Sequence, residues 1–281
     1  QCRFDQEQLR EIRYAALLHD FGKVGIREHI LLKACKLHPG ELALVKARFD
    51  FIKRTLETQM LRRKVALLEG ATRKRLARRL AELEKDYLCR VQEIDAAVGF
   101  IETCNQPNVT PKQGFERLHD IAKFQYESFD GLCHYLSPEE VVALSLPRGS
   151  LTPSERNEIE SHVTHTFDFL SKIPWTNSLR NVPAIAYSHH EKLDGTGYPR
   201  QLTGNQIPVQ SRMMTICDIY DALTAADRPY KTALPVSKAL AILKAYAQEG
   251  KVDEALVDLF IDAKVYGITL EPGRAATSAC A

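Results

Sequence analysis

The segment from Ser188 to Pro199 reads SHHEKLDGTGYP and combines two adjacent histidines with two glycines and a proline. Two adjacent histidines open the segment at the end of an apolar run, which predicts a helix over residues 182–190. Two glycines and a proline close it, and because glycine takes positive φ at little cost, they predict a tight loop. Neighbouring side chains at a helix end point about 100° apart, so a histidine doublet can serve two metal ions, or one ion and a supporting partner.

On both sides of this segment the apolar residues are spaced as in helices. Apolar residues recur every three or four positions, alternating runs are hard to find, and only 14 Gly and 13 Pro occur in 281 residues. The sequence therefore predicts an all-α fold. We expect later helices over residues 211–225, 237–248 and 254–263, and a first helix that ends near Gly22 and carries an apolar stripe of Leu9, Ile12, Ala16 and Leu17.

Another helix is predicted to start at Thr152-Pro153-Ser154-Glu155, where Thr can cap, Pro suits the first turn and Glu can complete a capping box. On this helix His162 falls among the apolar residues, whereas His165 lies at the margin of that face. Because residues three apart share a face, His165 is an alternative to His162 as a buried ligand, but the apolar stripe favours His162.

A long, highly charged helical stretch runs from Glu41 to about Cys104. Its thin apolar seam suits a helical hairpin or coiled coil better than a globular core, and consists of Leu61, Val65, Leu68, Leu76, Leu80 and Leu83. Residues 61–80 are rich in Lys and Arg, which indicates either a solvated helix face or contact with an acidic partner. Residues 105–150 are rich in Pro and Gly and predict loops with short helices.

The net charge of the chain is too small to attract a highly charged partner such as nucleic acid. The chain is 44% hydrophobic and 26% charged, with a net charge of +2, so we expect no nucleic-acid partner, and no apolar run is long enough for a membrane segment. We expect a cytoplasmic protein. Seven scattered cysteines without CxxC pairs fit reduced thiols. The sequence opens without Met in what reads as a helix, and we expect it to be part of a longer protein.

Histidines and carboxylates recur in pairs that suit divalent metal ions. Metals used for hydrolysis take imidazole and carboxylate ligands, and a two-metal site needs a carboxylate that can bridge. Each doublet alone is a weak signal, because a histidine near a helix end is more often structural. The candidates are His19, Asp20, His162, His189, His190, Asp218 and, with a weaker claim, Asp221.

Two motifs resemble a known family. Residues 19–25 read HDFGKVG, which is the HDxGKxG pattern of the HD phosphohydrolases, and residues 188–199 resemble the HHExxDGxGYP signature of the HD-GYP family. The resemblance continues through residues 216–224 and 227–231, and it covers about 13–36 and 151–263. It implies an HD-domain helical bundle with an inserted helical hairpin. The boundaries that we expect are 1–37 for the first part of the domain, 38–150 for the insertion, 151–270 for the remainder and 271–281 for a C-terminal tail.

The resemblance also implies an activity and its residues. HD-GYP proteins hydrolyse cyclic di-GMP to linear pGpG or on to GMP, with two or three iron or manganese ions. The implied metal ligands are His19, Asp20, His162, His189, His190 and Asp218. Asp20 would bridge two ions and act in catalysis together with Lys23, which would contact the scissile phosphate or the attacking water.

Substrate contacts and partners follow from the same resemblance. The residues implied to bind substrate are Gly195, Gly197, Tyr198, Pro199, Arg228 and Lys231. The glycines and the proline also have a purely structural interpretation as loop formers. For Arg228 and Lys231, a structural salt bridge is the alternative to contact with the second phosphate. Cyclic di-GMP is the expected partner, together with an upstream sensory domain and a second copy of the chain.

Other functions stay open at this point. The family has a further histidine upstream of its HD doublet, whereas no histidine precedes His19 in this sequence. Either the missing part of a longer protein supplies that ligand or the site is incomplete. The chain could then be a degenerate module that binds cyclic di-GMP or a protein without catalysis, or a different HD-type nucleotide phosphohydrolase. His119-Asp120 imitates the doublet, but Ala122 stands where the motif has glycine.

Overall fold

The computed structural model describes residues 3–70, 73–109, 114–129, 131–225 and 233–270. The chain divides into two compact units. Unit 1 consists of Gln1–Leu31 and Arg156–Ala281, and unit 2 is Leu32–Glu155. The predicted insertion, 38–150, falls within unit 2, and the predicted tail, 271–281, lies outside the described residues.

Helices dominate both units, which confirms the predicted all-α class. They are α1 (Gln6–Leu18), α2 (Glu28–Leu31), α3 (Pro39–Gly70), α4 (Arg73–Cys104), α5 (Glu116–Lys123), α6 (Pro138–Leu144), α7 (Pro153–Glu160), α8 (His162–Leu170), α9 (Val182–Tyr187), α10 (Val209–Thr224), α11 (Val236–Gln248) and α12 (Glu254–Asp262). Short 3-10 segments are Phe21–Gly25, Asn177–Leu179, Gly204–Gln206 and Val265–Leu270. One antiparallel hairpin joins β1 (Gln125–Ser128) to β2 (Gly131–His134), and the sequence did not predict it because its strands are four residues each.

The apolar stripe predicted for α1 is wrong. Leu9 and Leu17 are 54% and 70% exposed, whereas Ala15 is buried and packs into a core with residues of α8, α9 and α10. Glu11 shares the buried face of α1 although it is charged, and its carboxylate accepts a hydrogen bond from the backbone N–H of Asn181 (2.8 Å) at the start of α9. Hydrophobicity alone does not indicate a face that carries a buried carboxylate.

The helix predicted to start at Thr152 does start there. The backbone N–H of Glu155 donates to Thr152 Oγ1 (3.3 Å) and the N–H of Thr152 donates to Glu155 Oε2 (2.8 Å), which is the predicted capping box. The helix is interrupted at Ser161, so that α7 and α8 replace one continuous element. His162 is buried and His165 is exposed, as the apolar stripe predicts.

Unit 2 is built on the predicted hairpin of two long helices. Helices α3 and α4 are 32 residues each and pack against each other. The thin seam was expected to suit a hairpin better than a globular core, and its residues are indeed outside the buried core: Leu61, Val65 and Leu68 are exposed, and Leu76, Leu80 and Leu83 are half-buried. The other parts of α3 and α4, however, form a core with α5 and α6 that includes Phe49, Ile52, Ile94, Ile101, Leu118 and Leu144. Sequence spacing identified the helices but not the part of each helix that other elements cover.

The two ends of unit 2 are tied to each other. Lys33 Nζ lies 2.7 Å from Glu155 Oε1, and Ser150 Oγ donates to the carbonyl of Lys33 (2.9 Å). An insertion whose ends meet can interrupt a domain at small cost, because loop-closure entropy grows slowly with loop length. In the basic stretch, Lys64 pairs with Glu84 (2.6 Å), which fits a solvated helix face.

We predict that residues 32–155 fold by themselves, because their core lies inside unit 2. Far-ultraviolet circular dichroism of the isolated fragment is expected to show a helical protein with one cooperative melting transition. In that fragment Phe49→Ala is expected to lower the free energy of unfolding by about 3–5 kcal/mol, since Phe49 is fully buried. Phe129, which is 98% exposed, gives the matched control, and Phe129→Ala is expected to change stability by less than about 0.5 kcal/mol. A fragment without a cooperative transition would contradict the prediction.

Candidate metal centre

Unit 1 brings together all six residues that the sequence indicated as metal ligands. Ligand atoms of one group lie within 4.8 Å of one another and come from Asp20, His162, His189 and His190. A second group at the same spacing consists of His19, Asp20 and Asp218. Asp20 belongs to both groups, so its carboxylate occupies the place of a bridging ligand.

Each ligand is presented at a helix end or on a helix face. His19 and Asp20 follow the last residue of α1, and His162 is the first residue of α8. The doublet His189-His190 follows α9, and Asp218 lies within α10. Four separate elements therefore contribute, and only their packing makes one centre.

Three of the histidines are oriented in the same way by the backbone. In each, Nδ1 lies within hydrogen-bond distance of the carbonyl three residues earlier, and because a carbonyl only accepts, Nδ1 carries the proton. In the neutral ring Nε2 then carries the lone pair that a metal ligand requires. The three pairs are His19 with Ala16 (2.8 Å), His162 with Ile159 (2.6 Å) and His189 with Ala186 (2.6 Å).

The carboxylate of Asp20 is held among three side chains. Its Oδ2 lies 2.6 Å from Lys23 Nζ and 3.2 Å from His19 Nε2, while its Oδ1 lies 3.2 Å from His162 Nε2. Burial raises the pKa of this carboxyl group, but His162, His19 and Lys23 lower it more, so the net shift is downward. The carboxylate is therefore ionised and available to a cation.

Burial keeps the histidine doublet neutral. Desolvation is the main cause that lowers the pKa of His189 to about 3, and the pKa of His190 falls to about 2 through burial and the neighbouring imidazoles. Burial also lowers the pKa of His19, but its hydrogen bond and its attraction to Asp20 raise it more. A neutral imidazole is the form that binds a metal ion, so the doublet is ready to ligate at neutral pH.

Unpartnered polar atoms show that a cation fits this site. Among the described residues, Asp20 Oδ1, His162 Nε2 and His189 Nε2 are buried without a hydrogen-bond partner. Buried polar atoms normally have partners, and one left without costs about 1–3 kcal/mol. When the ring of His162 is neutral, its Nε2 presents a lone pair to a carboxylate oxygen 3.2 Å away, and a positive charge held by both atoms stabilises that arrangement. The donor set of imidazoles and carboxylates is the one that iron, manganese and zinc accept.

The loop after the doublet is held by Glu191, a residue to which the sequence gave no role. Its buried carboxylate accepts hydrogen bonds from the backbone N–H groups of Arg200 (2.8 Å) and Leu202 (2.9 Å). Arg200 in turn donates to Ser188 Oγ (2.6 Å) and lies over the ring of Tyr187. No sequence signal marks Glu191 as buried, because its partners are backbone groups that only the folded loop supplies.

The residues predicted to bind substrate lie in this loop. Gly195 has a φ of +79°, and a Cβ on Gly197 would lie 2.4 Å from the backbone nitrogen of Lys192, so both glycines are required by the loop itself. The ring of Tyr198, which precedes Pro199, lies 4.8 Å from that of His190. This places Tyr198 beside the metal centre, and contact with substrate stays a prediction.

Some candidates are not brought to the centre. Arg228 and Lys231 lie outside the described residues. Asp221 is exposed and belongs to neither ligand group. The imitation doublet His119-Asp120 lies in unit 2, where Asp120 pairs with Lys123 (2.7 Å).

Comparison with known proteins identifies the family. A family of sequences described as the HD domain matches residues 110–256, which is about half of the chain. The chain belongs to the HD domain family. Membership of the HD domain family agrees with the HD pattern at residues 19–25. The matched region, 110–256, nevertheless begins after His19 and Asp20. In the described part of the chain His19 and Asp20, and not His119-Asp120, lie beside the other candidate ligands.

Curated relatives of this HD domain are bacterial phosphodiesterases. The cyclic di-GMP phosphodiesterase of Vibrio cholerae is 48% identical over 151 residues, which are 51% of this chain and 27% of the relative. The cyclic di-GMP phosphodiesterase response regulator RpfG of Xanthomonas campestris is 37% identical over 146 residues, 51% of this chain and 34% of the relative. The 3'3'-cGAMP-specific phosphodiesterase 3 of Vibrio cholerae is 42% identical over 96 residues, 34% of this chain and 20% of the relative. The matched regions thus span about a fifth to a third of the relatives' own lengths. In the described part of the chain no helix is both long and apolar enough to cross a membrane.

We predict that Gly197→Ala disrupts the loop, because the added Cβ would meet the backbone of Glu191 and Lys192 at 2.4–2.6 Å. The free energy of unfolding is expected to fall by about 2 kcal/mol or more, since backbone cannot give way as a flexible side chain can. Gly99, a helical glycine with open space around it, gives a control of opposite sign: Gly99→Ala is expected to stabilise by about 0.5–1 kcal/mol. Equal melting temperatures for Gly197→Ala and the unaltered protein would contradict this account.

Proposed function

We propose that this chain is a metal-dependent phosphodiesterase domain that hydrolyses cyclic di-GMP to linear pGpG or on to GMP. The observation that carries the proposal is the pair of ligand groups that share Asp20, with imidazole lone pairs aimed at its carboxylate. Two adjoining groups with a shared carboxylate suit a two-metal hydrolytic site. Membership of the HD domain family and the names of the relatives support the same reaction.

The metal ions are proposed to be two or three, with iron or manganese as the expected elements. When bound, such ions polarise a phosphoryl oxygen and lower the pKa of a bound water. The residues that would hold them are His19, Asp20, His162, His189, His190 and Asp218. Burial keeps the histidine doublet unprotonated, and the low pKa of Asp20 keeps its carboxylate charged, so His189, His190 and Asp20 need not lose protons at neutral pH.

The chain's other residues would bind and orient the substrate. Lys23 places an ammonium group beside Asp20, where it can neutralise charge on a phosphate that approaches the centre. Burial is the main cause that raises the pKa of Tyr198, so its hydroxyl stays protonated and can donate to a phosphate or a ribose oxygen. Gly195, Gly197 and Pro199 would shape the loop against the ligand, and Arg228 and Lys231 are proposed to contact the second phosphate.

A related cyclic dinucleotide is a second candidate substrate. One relative is named as specific for 3'3'-cGAMP and is 42% identical over the matched 96 residues. Both molecules carry two phosphodiester bonds in a ring, so the same centre could attack either. The non-catalytic module and the other HD-type phosphohydrolase that the sequence left open have less support, because the six expected ligands converge. An upstream sensory domain and a homodimer remain predictions.

We predict that His162→Ala removes metal and hydrolysis together. The full-length protein, purified without oxygen, is expected to contain at least two transition-metal ions per chain by elemental analysis and to linearise cyclic di-GMP in a chromatographic assay. His162→Ala should lower the metal content and reduce turnover by about 100-fold or more, since a buried ligand is lost. His165→Ala, three residues away on the exposed side of the same helix, should change neither. Full hydrolysis by Asp20→Ala would refute the two-metal interpretation.

We predict that Lys23→Ala retains the metal ions and lowers turnover. An ammonium group cannot ligate a metal ion, but it can stabilise charge that develops on the phosphate, and loss of such a group typically lowers kcat by about 100-fold or more. In this variant the metal content by elemental analysis should therefore be unchanged, while kcat with cyclic di-GMP falls. If Lys23→Ala loses the metal ions, Lys23 instead maintains the position of Asp20, to whose carboxylate its ammonium group donates a hydrogen bond.

A further inference from the structure

The backbone turn that carries His19 and Asp20 is closed by a side chain from another helix. In a tight four-residue turn the carbonyl of the first residue usually accepts directly from the N–H of the fourth. Here a hydroxyl lies between the two groups. The N–H of Gly22 donates to Thr166 Oγ1 (2.8 Å), and the same hydroxyl donates to the carbonyl of His19 (3.0 Å).

We propose that Thr166 is a positioning residue for the metal centre, whose hydroxyl sets the place of Asp20 relative to His162. This role rests on the metal centre of the proposed function, and it does not depend on which substrate is hydrolysed. The hydroxyl of Thr166 bonds to two backbone groups of the turn, the N–H of Gly22 and the carbonyl of His19. It acts only through the backbone of the turn.

The location of Thr166 explains how it can exert this control. Thr166 is fully buried and follows His162 by four residues in α8, so both side chains lie on the same face of that helix. The turn rests directly on this face, because a Cβ on Gly22 would lie 2.0 Å from the carbonyl oxygen of His162 and 2.7 Å from the nitrogen of Thr166. One helix face thus provides both a ligand and the group that holds the opposing turn.

Asp20 is the residue most sensitive to this turn. It follows His19, whose carbonyl is one end of the bridge, and its backbone angles (φ −101°, ψ 7°) are set within the turn. Its Oδ1 lies 3.2 Å from His162 Nε2, a spacing at which one cation can take both atoms as ligands. Without the hydroxyl, the carbonyl of His19 and the N–H of Gly22 would have to bond directly to each other or to a water molecule. Either change would move the carboxylate of Asp20.

Three substitutions separate the hydroxyl from the shape of the side chain. Thr166→Val keeps the shape and removes the hydroxyl, and Thr166→Ser keeps the hydroxyl and removes the methyl group. Thr164→Val makes the same change elsewhere on α8, where the side chain is only partly buried. Manganese(II) is the probe, added to metal-free full chain, and electron paramagnetic resonance of the unbound ion gives the dissociation constant.

Thr166→Val is expected to weaken manganese(II) binding by about 10- to 100-fold, as loss of groups that orient metal ligands does in other sites. Thr166→Ser should stay within about threefold of the unaltered chain, and Thr164→Val should match it, because both keep the bridge between His19 and Gly22. Unaltered binding by Thr166→Val would overturn the proposal. Equal losses in Thr166→Val and Thr166→Ser would also overturn it, since packing of the methyl group would then be the cause.

A folding defect can be recognised and avoided. Circular dichroism of each variant reports the fold, and if Thr166→Val does not fold, Thr166→Ala is used, which should also bind manganese(II) at least about tenfold more weakly. Normal affinity in Thr166→Ala would then count against the role. An unaltered chain that binds manganese(II) without hydrolysing cyclic di-GMP would contradict the proposed function and leave this role standing. An unaltered chain that holds no manganese(II) would refute both.

Discussion

The approach of the Asp20 carboxylate to the lone pair of His162 is the constraint on which the rest of this structure depends. Asp20 Oδ1 and His162 Nε2 lie 3.2 Å apart, each is buried without a hydrogen-bond partner, and when the ring of His162 is neutral both atoms are acceptors that repel each other. Such an arrangement is unfavourable by about 1–3 kcal/mol for each unsatisfied group, and a cation between them reverses the sign. The fold therefore maintains an arrangement that a positive charge held by both atoms stabilises.

Hydrogen bonds to backbone groups hold the side chains of this site in place. Carbonyl groups three residues upstream fix the rings of His19, His162 and His189, so that helix geometry itself determines the direction of each Nε2. Glu191 fixes the loop by accepting from two backbone N–H groups. These contacts explain why the ligands sit at helix ends, since the carbonyl three residues back is then within reach of the ring.

Unit 2, which contains the insertion, has a hydrophobic core of its own, and the two ends of unit 2 contact each other, so it can interrupt the domain. Its ends are joined by the Lys33–Glu155 ion pair, and its core residues lie within its own elements. The chain can therefore be divided between Asp20 and His162 by more than a hundred residues without separating the two halves of the site. Contact between them is restored by tertiary packing within unit 1, where the 3-10 segment after α1 packs on α8.

Local sequence patterns determined the helices, the capping box at Thr152 and the burial of His162 rather than His165, because spacing and local hydrogen bonding act over a few residues. The six candidate ligands came from the residue types and from the family that the two motifs resemble. Only the tertiary structure decided which face of α1 is buried, since Glu11 finds its partner in the distant Asn181. It also decided that the insertion has a core, and that a hydroxyl from Thr166 closes the turn of Asp20. In each of these cases the deciding partner is far away in sequence, and a buried charged or polar side chain has no periodic pattern that would reveal it before the chain is folded.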